Sequence, residues 1–256
     1  ARVGVNPFKY GLLASTDSHL GAAGATDEDR YPGHGGAGAP AGSTAPAGLP
    51  DDIELNPGGL AVVWAEENSR DALFDAMRRR EVYGTSGPRM IVRFFGGWGY
   101  PADLCSDPAF VERGYAGGVP MGGDLPPLAL RASEPAPRFA VSAVADPGTL
   151  DAPGVALQRI QIVKGWVEGG VNHERVFDVA TAPGGGADVD LATCQPRGEG
   201  ARSLCAVWED PEFQADLPAF YYARILENPS CRWSARLCRA RGVDCRDPGT
   251  VPPGLE

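Results

Sequence analysis

The sequence predicts a chain in two parts, an α/β segment followed by an all-β segment built as an antiparallel β-sandwich. Three observations carry that reading. Two early apolar runs, Phe8 to Thr16 and Leu60 to Ala65, are continuous rather than alternating, the pattern of parallel strands covered on both faces. Beyond Met90 the apolar runs alternate or concentrate β-branched and aromatic residues, and turn signals separate them. The chain also holds 35 glycines and 24 prolines in 256 residues. That is well above the usual combined share of about 12%, so it requires many turns.

Composition excludes several classes. No run of about 18 apolar residues exists, so no transmembrane helix is expected. The glycines cluster instead of recurring every third residue, which excludes a collagen helix. A formal charge of −10 opposes nucleic-acid binding, which needs basic surface to displace counterions. The chain opens Ala1-Arg2-Val3-Gly4 without Met or a signal-like stretch, and it reads as part of a longer protein. Part of any site is therefore expected outside this chain.

The elements follow in order. Phe8 to Thr16 is the first expected strand and ends at Asp17-Ser18-His19. Gly21 to Pro50 is rich in Gly, Ala and Pro and lacks periodicity, so it reads as a long loop or lid. Leu60 to Ala65 is the second strand, followed by Glu66 and Glu67. A helix comes next, with Asn68 as N-cap and Leu73, Phe74 and Met77 on one face. Arg78, Arg79 and Arg80 lie in its last turn, where cations complement the helix dipole. Val82 to Ser86 is extended, and Gly87-Pro88 breaks it, so the boundary falls between residues 1–88 and 89–256. Met90 to Phe95, Phe139 to Val144, Leu157 to Val163, Val176 to Ala180, Leu204 to Trp208 and Ala219 to Leu226 are the strands of the second part. Asp146-Pro147-Gly148 and Ala182-Pro183-Gly184 are among the turns between them.

Six cysteines, Cys105, Cys194, Cys205, Cys231, Cys238 and Cys245, suggest disulfides and an oxidising compartment, hence a periplasmic or secreted protein. Structural zinc and free thiols are the other readings. Spacing leaves the pairing open. Cys194–Cys205 and Cys231–Cys238 close the shortest loops and are the expectation that chain entropy favours.

The sharpest local signal for chemistry is Asp17-x-His19. Two residues apart on a strand, both side chains leave the same face. A carboxylate and an imidazole so placed can share one divalent metal. The alternative is an aspartate that caps the loop and a histidine in a hydrogen-bond network. Glu66 and Glu67 stand at a strand end, either as catalytic carboxylates facing a site or as helix-start carboxylates stabilised by the dipole. Glu28, Asp29 and His34 fall in the long loop, as substrate contacts or as solvated residues. His173, beside Glu174 and Arg175, reads as a turn histidine among surface ion pairs. No Gly-x-Ser-x-Gly elbow, Walker loop or dinucleotide fingerprint occurs.

Several segments occur in a recognisable order. They are Asn6-Pro7-Phe8-Lys9-Tyr10-Gly11, Ser15-Thr16-Asp17-Ser18-His19, Trp64-Ala65-Glu66-Glu67-Asn68 and Arg80-Glu81-Val82-Tyr83-Gly84-Thr85-Ser86-Gly87-Pro88. Ala219 to Trp233 follows near the end. This order resembles the final part of a PHP-type (polymerase and histidinol phosphatase) metallohydrolase. More narrowly, it resembles a bacterial domain-of-unknown-function family with a PHP-like metal site. The resemblance implies the C-terminal part of a distorted α/β barrel, incomplete in this chain, before the β-sandwich. It implies a cluster of divalent ions (Zn, Mn or Fe), with Asp17 and His19 as the last ligands. The implied activity is hydrolysis of a small-molecule or polymer ester, a phosphoester above all, by metal-activated water. As composition already indicates, neither nucleic acid nor a membrane span is expected among the partners. The competing function is a non-catalytic carbohydrate- or surface-binding β-sandwich beside a vestigial barrel, with Trp98, Tyr100, Trp166 and Trp208 as stacking platforms.

Overall fold

A computed structural model of the protein describes residues 9–14, 58–127, 136–184 and 186–243. Within these the chain is mostly β. Strand β1 (Leu60–Val63) leads through helix α1 (Arg70–Arg79) into β2 (Val82–Thr85). Strand β3 (Ile91–Gly97) follows, then a 3-10 turn at Leu104–Ser106, α2 (Phe110–Gly117) and β4 (Gly118–Pro120). The rest is β5 (Arg138–Val144), β6 (Leu157–Glu168), β7 (Val171–Thr181), β8 (Asp188–Asp190), β9 (Gln195–Arg197), β10 (Ser203–Glu209), β11 (Ala219–Glu227) and α3 (Trp233–Arg241).

The α/β expectation for the first part is overturned. β1 and β2 pair antiparallel, with Leu60 opposite Thr85 and Val63 opposite Val82. Among the described residues all named strand pairs are antiparallel and form no barrel. A continuous apolar run does not by itself distinguish a parallel strand from a short antiparallel one packed against a neighbouring unit. The described part of the expected first strand, residues 9–14, is not a strand. It lies across β2, where a Cβ on Gly84 would collide with Ala14 and one on Gly11 would meet Val82.

Helix α1 starts one residue later than expected. The Ser69 side chain, not Asn68, accepts from the Ala72 N–H at 3.3 Å. The helix ends at Arg80, whose left-handed backbone (φ 63°) lets its N–H reach Ala76 and Met77 carbonyls. That conformation is costly for a residue with a Cβ. The Arg80 side chain holds it, donating to Gly122 O at 2.9 Å and to Lys9 O at 3.1 Å. The expected apolar face is poorly covered, since Phe74 and Met77 are exposed and Ala76 is the buried residue of the helix.

The larger part has two main sheets, ordered β10-β5-β3-β4 and β11-β6-β7, with a separate β8-β9 hairpin. Their facing sides share one core of Phe94, Phe139, Val141 and Ala143 with Leu157, Ile160 and Ile162. Period-2 alternation sends the next residues, Phe95 and Ala140, to the opposite face of the four-stranded sheet. There they meet Tyr100, Leu104, Phe110 and Val207. The 3-10 turn and α2, which the sequence pattern did not reveal, thus bury that second face. α2 packs closely because residue 114 is glycine: a Cβ there would run into the Phe95 ring.

Two disulfides replace the pairing that loop length favours. Cys105–Cys205 spans 100 residues and ties the 3-10 turn to β10. Cys194–Cys231 spans 37 residues and ties the β8-β9 hairpin to the end of β11. Sheet pairing brings these residues together, so loop entropy is overridden. Cys238 is disulfide-bonded as well. Disulfides of this kind persist outside the reducing cytosol. No described helix is long and apolar enough to cross a membrane.

Candidate functional site

The two-stranded unit is fastened to the larger part by side chains. Trp64 Nε1 donates to Val92 O at 3.0 Å, and the Tyr83 hydroxyl both donates to Met90 O and accepts from Val92 N. Beside this seam lies an open cleft of about 560 Å³. Its walls are Trp64, Ala65 and Glu66 from the exit of β1, Arg79 from α1, Glu81 before β2, Arg93 of β3, Tyr115 of α2 and Pro120 of β4.

Glu81 organises this cleft. It is only 4% exposed, so an unpaired carboxylate there would be costly. Its Oε1 accepts a hydrogen bond from the Tyr115 hydroxyl. Arg93 donates to that hydroxyl at 3.1 Å and stands 3.9 Å from the same carboxylate oxygen. Arg93 is also stacked over Trp64, with its guanidinium carbon 3.3 Å from the ring centroid. Arg79 approaches the other oxygen at 3.7 Å, beyond an N–H···O bond, and its side chain is half-exposed. Desolvation raises the Tyr115 pKa, and the bond to the Glu81 carboxylate adds to the effect, so the phenol keeps its proton. The cleft therefore presents one fixed guanidinium, one movable guanidinium and a protonated phenol.

Of the residues singled out in sequence, Glu66 is exposed on the wall of this cleft. Glu67 is exposed in the bend before α1 and is not part of the wall. Asp17, His19, Glu28, Asp29 and His34 lie outside the described residues. Among the described residues no group of three His, Cys, Asp or Glu side chains could hold a metal. His173 lies on β7 rather than in a turn and stacks on Trp166, with ring centroids 5.2 Å apart. Its neighbour Arg175 does pair with Glu212, at 3.2 Å. Trp98 and Tyr100 are buried, and Trp208 packs on Phe139 and Phe177, so these three serve the core instead of a sugar.

Glu81, Arg93 and Tyr115 were not singled out in sequence. One signal for Arg93 was available: a lone cation inside the apolar run Ile91-Val92-Arg93-Phe94-Phe95 demands a partner. Nothing local pointed to Tyr115, which reaches Glu81 across 34 positions of chain.

A family model described as "Protein of unknown function (DUF3604)" matches residues 1–251. No curated protein and no solved structure matches the chain. The likeness to PHP-type metallohydrolases is therefore overturned. The match is to a family that carries no such assignment, and the described residues gather no metal site.

Proposed function

We propose, for a chain that belongs to the DUF3604 family, the hydrolysis of anionic esters, phosphoesters first among them, with the ester's anionic group held in the Trp64–Tyr115 cleft. The observation that supports this reading is the grouping of Arg79, Arg93 and Tyr115 around the buried Glu81. Arg93 is locked by Trp64 and Tyr115, so it offers a fixed fork of donors suited to phosphate or carboxylate oxygens. Arg79 is free to turn from Glu81 towards an incoming anion. Tyr115 donates a proton-bearing hydroxyl without ionising. Glu66, at the rim, can accept a proton from a hydroxyl of the substrate. Glu81 positions Arg93 and Tyr115 and does not itself need to touch the ester.

The divalent-ion part of the proposal rests on Asp17 and His19 alone. An ion held there would supply an activated water. The compartment we assign is the periplasm or the cell exterior, as the disulfides favour.

The test is steady-state hydrolysis of an aryl phosphate by the full-length protein supplied with Zn, Mn or Fe. Loss of a charge-assisted contact of about 1.5–3 kcal/mol should raise KM of Arg79→Gln roughly 10- to 100-fold. Asp17→Ala with His19→Ala should abolish turnover. An unchanged KM in Arg79→Gln removes the cleft from the mechanism, and the absence of ester hydrolysis by the full-length protein removes the activity.

A further inference from the structure

A second polar cluster, none of whose residues lines the cleft, lies between the two main sheets. Lys164 projects from β6 and Asp210 follows β10; their side chains are 4% and 0% exposed. Lys164 Nζ stands 2.6 Å from Asp210 Oδ2. Tyr221 of β11 donates its hydroxyl to the same oxygen at 2.6 Å. The Trp166 and Tyr221 rings flank the ammonium at 5.6 and 5.9 Å. A charged pair this deep loses much of its Coulomb gain to desolvation.

We propose that Lys164 and Asp210 condense into an intramolecular isopeptide bond that links the two sheets. The hydrogen-bond partners around the pair already match those of the amide. Nζ donates to Glu212 O at 2.7 Å, the contact an amide N–H would keep. Oδ1 accepts from Glu212 N at 2.9 Å, the contact an amide carbonyl would keep. Oδ2 is the oxygen that leaves, and it is the one Tyr221 donates to. The ion pair is less well served, because its three N–H donors find two acceptors among the described residues.

The step balances without a co-reactant. One ammonium proton passes to the carboxylate oxygen Oδ2, which lies 2.6 Å from Nζ. The neutral amine attacks Cγ while the Glu212 N–H supports the negative charge that develops on Oδ1 and the Tyr221 hydroxyl holds the departing Oδ2. The Nζ–Cγ bond forms and the Cγ–Oδ2 bond breaks. A second proton from nitrogen joins the departing hydroxyl, which leaves as water, and the third stays as the amide N–H. Tyr221 ends as it began. Burial and the Asp210 carboxylate hold its pKa far above the ordinary range, so it remains a donor throughout.

Intact mass spectrometry of the reduced, denatured protein tests this. The wild-type chain is expected to be lighter than its sequence mass by one water, with a peptide map that joins Lys164 to Asp210. Lys164→Arg should restore the full mass. Asp210→Asn should form the same bond with loss of ammonia in place of water. A wild-type chain at full mass overturns the proposal, as does a one-water deficit that persists in Lys164→Arg. If Lys164→Arg does not accumulate, the wild-type peptide map decides alone.

Discussion

Glu227 provides the sharpest quantitative test of the packing between β11 and the loop after β5. Its Oε1 is buried without a hydrogen-bond partner among the described residues. Burial first, and the neighbouring Asp146 carboxylate second, push its pKa from 4.5 up to about 7, against the lowering effect of Arg232. A carboxyl raised in this way contributes stability that is fully present below pH 4.5. That contribution is lost as pH rises through 7, because the unfolded chain releases its proton first. The full shift corresponds to about 3.4 kcal/mol at 1.36 kcal/mol per unit. Glu227 is only half-buried, and solvent at its outer edge screens the effect to about 1–2 kcal/mol. Glu227→Gln removes the ionisation while keeping shape. Urea unfolding at pH 4.5, 6 and 8 should show wild type losing about 1–2 kcal/mol relative to Glu227→Gln across that window. Equal stabilities of the two proteins near pH 4.5 and a more stable variant at pH 8 are expected. Parallel curves over the whole range would refute the reasoning.

Three further outcomes follow from packing. Ile162→Ala empties a fully buried position between the two sheets and should cost about 2–5 kcal/mol in chemical denaturation. A loss under 1 kcal/mol would mean that the sheets do not share that core. Gly114→Ala drives a methyl into the Phe95 ring and should cost about 1–3 kcal/mol, read as a lower melting temperature. An unchanged melting temperature would show that α2 does not sit on Phe95. Replacing Cys105 and Cys205 together by Ser opens a loop of 100 residues and should cost roughly 2–5 kcal/mol. Peptide mapping of the oxidised wild type should recover Cys105–Cys205 and Cys194–Cys231, and recovery of Cys194–Cys205 would reject the described register.

Much of the β part was legible because alternation is a local property. Met90 to Phe95, Phe139 to Val144 and Ala219 to Leu226 anticipate β3, β5 and β11, and the turn dipeptides fall between strands. α1 was legible for the same reason, within one residue at its cap. The direction in which β1 meets β2 was not legible, since pairing sense is set by the path of the connection and not by the residues inside a short apolar run. α2 escaped notice because Phe110 to Gly117 carries two glycines and lacks a capping side chain, features that argue against a helix until Phe95 is there to cover.

By itself the sequence determined where strands alternate, that many turns are needed, and that six cysteines favour an oxidising setting. These are properties of neighbours in the chain. Tertiary structure alone decided which cysteines meet, which aromatic residues are core, and that Glu81, Arg93 and Tyr115 form one cluster. It also set Lys164 against Asp210 from separate sheets. Each of those outcomes depends on desolvation and distance between residues remote in sequence, and both exist only after the sheets have packed.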